Sequence, residues 1–175
     1  ILGVDISGQT VNAANKKLTD QFDQRQYTFV EKNKKILKVK GDALGLSQDF
    51  KKGLTQILNK QNPWHWTTSV FAGQKTNAQE DPTINTAALK QFATSTADKL
   101  NQNRQEPVNA KLVTSGDQFK IQKEVNGDQI DADKLATTVT SALDNHRQVI
   151  ELTDAYKKPT VKASDRDLQT TERDM

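Results

Sequence analysis

The sequence has 175 residues and no cysteine, which excludes disulfides, thiol catalysis and cysteine-ligated metal sites; no run approaches the ~20 apolar residues that a membrane span needs. Hydrophobic content is low at 34%, but the apolar residues are periodic, so the chain reads as folded, either one large domain or two small ones. Net charge is +3 and uneven, with 12 Lys/Arg against 7 Asp/Glu in residues 1–80 and 13 against 15 in residues 81–175, so the basic excess lies in the first half, mostly between Arg25 and Lys40.

In chain order, Ile1 to Ile6 reads as a short strand, and Ser7-Gly8 turns the chain. Thr10 can cap a helix whose apolar face is Val11, Ala14, Leu18 and Phe22. Tyr27 to Val30 follows as a strand, Lys32-Asn33 as a turn, and Ile36, Leu37 and Val39 as the return strand. Gly41 to Gly45 is a break. Ser47 is then expected to cap a second helix carrying Phe50, Leu54, Ile57 and Leu58, which Pro63 ends. Trp64 to Phe71 has the aromatic and β-branched content of a strand, and Gly73 to Pro82 is a polar loop. Asn85 or Thr86 starts a third helix with Leu89, Phe92, Ala93, Thr96 and Leu100 on one face.

The best-patterned stretch runs from Gly116 to Leu152. Val108, Ala110 and Leu112 alternate as a strand leading to the turn Ser115-Gly116-Asp117; Phe119 and Ile121 alternate as a half-buried strand. Asn126-Gly127-Asp128 is expected to turn through positive φ, and Asp131 to cap a helix with Leu135, Val139, Ala142 and Leu143 on its apolar face. Asn145-His146 closes that helix, and Val149, Ile150 and Leu152 form a strand. Tyr156 and Pro159-Thr160-Val161 give a last extended piece, and the charged, aperiodic residues after Ala163 read as a tail. Residues 1–30 and 123–152 echo one another as turn, capped helix and strand. The fold expected is α+β, with helices packed on small mixed or antiparallel sheets and two similar strand-helix-strand units.

Catalytic chemistry finds little support. His65 and His146 are the only histidines, one between two tryptophans and one at a helix end, where an imidazolium favours the helix dipole. Asp5-Ile6-Ser7-Gly8 is similar to the Asp-Thr/Ser-Gly of aspartic proteases but has an inserted residue and no second copy, so it reads as a turn. Asp128, Asp131 and Asp133 lack the spacing, glycine and terminal Glu of a calcium loop, and no phosphate loop or zinc spacing is present, so no metal or cofactor is expected. The binding candidates are Trp64 and Trp66, which share one side of a strand and offer stacking faces for sugar rings, and the basic hairpin residues Lys32, Lys34, Lys35 and Lys38. Against these stand a core role for the tryptophans and a merely solvated face for the lysines.

Three segments carry a resemblance: GVDISGQTVNAANKKL as a strand-to-helix opening, DALGLSQDFKKGLTQILNKQNPWHWTTSVF as a helix followed by Asn-Pro-Trp and a hydrophobic strand, and GDQFKIQKEVNGDQIDADKLATTVTSALDNHRQVIELTDAYKKPTV as strand, turn, helix, strand and closing Tyr…Pro. Together the chain resembles the peptidoglycan-binding domain that precedes the catalytic domain in Gram-positive L,D-transpeptidases. The resemblance implies a module over residues 42–165, a strand-helix-hairpin subdomain over 1–41, and a tail or linker over 166–175. It implies an extracellular, cell-surface location, peptidoglycan as partner, and a catalytic domain following Met175 in the same chain, since the chain opens on Ile1 and reads as cut from a longer protein. It does not import catalysis: the Ser-His-Gly-Cys motif is absent and no cysteine exists to form an acyl enzyme, so the fragment is read as a non-enzyme. The rival readings are a spacer without glycan affinity and an anionic-polymer binder using the basic first half. Nucleic acid is disfavoured by the balanced second half and the lack of a recognition motif.

Overall fold

The computed structural model describes residues 4–60, 82–116, 118–166 and 168–170, and the fold is α+β. The chain forms two compact units, one of Ile1–Tyr27 and Lys38–Leu89, the other of Thr28–Leu37 and Lys90–Met175.

In the first unit, helix α1 (Val11–Asp23) starts where Thr10 accepts a hydrogen bond from the Ala13 amide, and it buries Ala14, Leu18 and Phe22 at steps of four. Helix α2 (Lys51–Lys60) packs on it through Phe50 and Leu54; the Phe22 and Phe50 rings meet edge to face with centroids 6.2 Å apart. Burial of each such side chain contributes about 1.5–3 kcal/mol. Polar side chains of α1 fix where α2 begins. Asn15 Oδ1 accepts from the Phe50 amide at 2.7 Å, and Thr19 Oγ1 donates to the Gln48 carbonyl at 2.9 Å.

Three sequence expectations change in this unit. Ser47 does not cap α2. It lies in the two-residue strand β3 (Leu46–Ser47), paired antiparallel with β4 (Thr83–Ile84), and Asp49 instead accepts from the Lys51 amide at 3.0 Å. Residues 4–6 form no strand, because Asp5 Oδ1 accepts from both the amide and the hydroxyl of Ser7, a local turn that competes with ladder pairing. Leu58, expected on the apolar face of α2, is exposed. Gly45 has φ +73°, and a Cβ there would press on the Asn85 carbonyl at 2.8 Å, so this turn admits only glycine.

The second unit holds β7 (Val149–Glu151) and the greater part of β1 (Gln26–Glu31) and β2 (Lys34–Lys40), strands that form a sheet of order β2-β1-β7. Lys32 and Asn33 both have positive φ, as a two-residue hairpin turn requires. Strands β1 and β7, the closing strands of the two echoing segments, pair in parallel with Phe29 opposite Ile150, and both side chains are buried. Helix α3 (Thr86–Asn101) begins at Asn85, whose Oδ1 accepts from the Ala88 amide. Its Phe92 ring lies 5.7 Å from that of Phe29, and Ala93 and Ala97 are buried beside it.

Helix α4 (Ala132–Asp144) forms as its sequence dictates: Asp131 accepts from the Lys134 amide, and Leu135, Val139, Ala142 and Leu143 are buried. Its end is a Schellman turn. His146 has φ +53°, its amide donates to the Leu143 carbonyl, and that of Arg147 donates to Ala142.

Strands β5 (Lys111–Ser115) and β6 (Gln118–Gln122) form an antiparallel hairpin turning at Gly116, but Phe119 is 40% exposed rather than packed in a core. The strand after the polar connection starts at Lys111, not Val108, which makes only a bridge to Val125. Gly127 is a glycine for a different reason from the one its sequence suggests. Its φ is not positive; a Cβ there would collide with the Gln105 carbonyl and the Glu106–Pro107 backbone, so the requirement is close chain approach.

Candidate functional site

The basic hairpin survives as a surface. Strand alternation places Lys34, Ile36, Lys38 and Lys40 on one face of β2, and all four are exposed. Lys32 and Lys35 are exposed as well, and among the described residues none of Lys32, Lys34, Lys35 and Lys38 has an ion-pair partner. Such a row of unneutralised cations on an edge strand discourages strand addition and offers a field to an anionic ligand. Trp64, Trp66 and His65 lie outside the described residues.

The other polar candidates have structural employment. Asp131 caps α4, Asp128 Oδ1 accepts from the Gln105 amide at 2.7 Å, and Asp133 stands 3.7 Å from Lys90 on the surface. Among the described residues no group of three potential ligands could hold a metal ion. His146 serves through its backbone at the helix end.

The second unit holds a cluster that the sequence did not announce. Arg104 Nη1 donates to Glu31 Oε1 at 2.6 Å and to the Asp128 carbonyl at 2.8 Å, while Tyr156 donates its hydroxyl proton to the same Glu31 oxygen at 2.6 Å. Arg104 also lies over the Tyr156 ring, 5.9 Å from its centroid. The Arg104 and Glu31 side chains are only 10% and 18% exposed. Burial pushes the Glu31 carboxyl up, but the hydrogen bonds from Arg104 and Tyr156, with the Arg104 charge, outweigh it and hold the carboxyl below its ordinary value. With its charges matched and its donors engaged inward, this cluster joins β1 to the segments around Arg104 and Tyr156 rather than receiving a ligand. No local signal could have revealed it, because Glu31 is 73 residues from Arg104 and 125 from Tyr156.

The first unit has a contrasting polar region at the end of α1. Lys17, Asp20, Gln21, Phe22, Gln24 and Arg25 line an open groove of about 590 Å³. Asp23 lies alongside in sequence, with Oδ1 shut away from solvent and, among the described residues, without a hydrogen-bond partner, although the rest of the side chain is half exposed. Burial first, then the charges of Asp42 and Asp20, push its carboxyl above its ordinary value.

No helix among the described residues is long and apolar enough to cross a membrane. Compared with known proteins, the chain matches over residues 37–151 the family described as Putative peptidoglycan binding domain. Neither a curated protein nor a solved structure matches it.

Proposed function

The chain belongs to the peptidoglycan-binding domain family, and from that premise we propose that it is a non-catalytic extracellular module that holds its parent protein on the wall of a Gram-positive cell and there positions an adjoining L,D-transpeptidase domain. The observation that carries this reading is the family match across residues 37–151, which begins within β2 and takes in Lys38 and Lys40 of its lysine row. In this reading Lys34 and Lys38, with Lys32 and Lys35 beside them, attract the carboxylates of the wall polymer, and Trp64 and Trp66 stack on its sugar rings. The unpaired state of the lysines also favours a contribution from simple polyanion attraction, which falls steeply with salt.

Retention of the purified chain on isolated sacculi tests the proposal. Retention at physiological salt supports it; free passage at that salt would eliminate wall binding and leave a spacer. A Lys34→Glu/Lys38→Glu pair should reduce retention severalfold without lowering the melting temperature, because neither side chain has an ion-pair partner among the described residues. If the pair is retained as well as the natural chain, the lysine row is not the contact surface.

A further inference from the structure

The groove at the end of α1 lies outside the matched segment, which begins at residue 37, and it gathers cationic, anionic and carboxamide side chains around one aromatic ring. Its volume of about 590 Å³ falls within the roughly 300–1,000 Å³ of small-ligand pockets. Lys17, Asp20, Gln21 and Gln24 stand at i, i+3, i+4 and i+7, one polar stripe of the helix, and Phe22 and Arg25 complete the lining.

Arg25 is the anchor. Its guanidinium lies over the Phe22 ring, 4.8 Å from the centroid, so the side chain is held in place before any ligand arrives. Among the described residues nothing accepts a hydrogen bond from that guanidinium, and no carboxylate pairs with it. A half-buried fork of five donors is therefore available for a bidentate acceptor. Lys17 gives one of its three donors to the Asp5 carbonyl at 2.7 Å and keeps two. At the other side of the charge balance is Asp20. Its one ion pair among the described residues, with Lys16 at 2.6 Å, is exposed and easily surrendered, and it stands near the negative end of the helix dipole. Two exposed carboxamides, Gln21 and Gln24, lie between these charges and match the donors and acceptors of a peptide backbone.

A purely anionic ligand would meet repulsion from Asp20 and the helix end, and a purely cationic one from Arg25 and Lys17. We infer that the α1 groove binds a short peptide carrying both a free carboxylate and a free amine, namely the un-cross-linked stem peptide of peptidoglycan, with its carboxylate on Arg25 and Lys17 and its diamino-acid ammonium at Asp20. This rests on the wall-binding reading and adds to it a recognition of cross-linking state, because cross-linking consumes the amine.

The test is an amide NMR titration of the whole chain with three synthetic stem pentapeptides: one with free amine and carboxylate, one with the C-terminal carboxylate amidated, and one with the side-chain amine acetylated. The free peptide should shift amides between Lys17 and Arg25, each blocked peptide should bind several-fold more weakly, and Arg25→Gln should weaken the free peptide about tenfold. Asp20→Asn, which leaves the helix intact because Asp20 is exposed, should abolish the preference for the free amine while retaining that for the carboxylate. Shifts confined to other residues, or equal binding of all three peptides, would overturn the groove assignment. Sacculus retention is measured on the same samples. If the chain stays on sacculi while the peptides miss the groove, wall binding stands and this inference falls. If the chain passes through sacculi, wall binding falls, and the groove is judged by the peptides alone.

Discussion

Glu31 and Asp23 are the same functional group in two opposed situations. Glu31, at the end of β1, receives a guanidinium and a phenol hydroxyl, and its carboxyl is held down; Asp23, at the end of α1, has a buried oxygen with no donor among the described residues and two acidic neighbours, and its carboxyl is pushed up. The helix adds to the difference, since the last turn of α1 presents its negative end to Asp23 and holds no basic residue. A desolvated carboxylate strengthens a fold only where donors have been built for it. The second unit uses its strongest ionic chemistry internally. The first leaves charges unsatisfied at its surface, where a ligand has something to gain.

The largest expected effect comes from breaking the satisfied side. Arg104→Met should cost about 2–4 kcal/mol in denaturant unfolding, because Glu31 would be left nearly buried without its cation. Adding Glu31→Gln to that variant should recover a substantial part, and no recovery would mean that Arg104 acts through packing alone. Tyr156→Phe removes one charge-assisted hydrogen bond and should cost about 1–2 kcal/mol by the same measurement.

The pH dependence follows from the direction of each shift. Glu31, with its folded value lowered, contributes stability that is full above the unfolded carboxylate value and is lost as pH falls through the lower folded one. Asp23, with its folded value raised, acts oppositely: its contribution is full below the unfolded value and is lost as pH rises through the folded one. Unfolding of Tyr156→Phe followed between neutral pH and pH 3 should show a smaller acid loss than the natural chain. The smallest effect is a gain. Asp23→Asn should raise stability by roughly 0.5–1 kcal/mol at pH 7 and by nothing at low pH, where the carboxyl is already protonated. A loss at neutral pH would show that the buried oxygen has a partner after all.

What could be read from sequence was what local rules decide. Thr10, Asn85 and Asp131 cap the helices expected of them, and the faces Ala14/Leu18/Phe22 and Leu135/Val139/Leu143 are buried as their spacing requires. Where two local options competed, distant pairing chose. Ser47 and Asp49 are both competent caps, and Ser47 was taken by a strand whose partner lies at Thr83–Ile84. Alternation gave Phe119 a face, but only tertiary structure says whether a face is covered, and this one is not. Of the candidate site, the exposed lysines were legible from charge and alternation. The Arg25–Phe22 stack is local and lay within reach, at i and i+3 across the helix end, whereas the Glu31–Arg104–Tyr156 cluster depends on closure over long loops.

The order β2-β1-β7 has a practical consequence for dissection of this protein. The family match starts inside β2 and stops at the last residue of β7, so it contains the last four residues of β2 and all of β7 and omits β1, the strand between them. A polypeptide trimmed to 37–151 would leave β7 without its partner strand β1, having also lost Phe29, Glu31 and Tyr156. Such a fragment should self-associate or exchange strands, and a free peptide spanning 26–31 should complement it in trans, as a split protein does. The segment that defines the family and the segment that completes its sheet are therefore different lengths of chain.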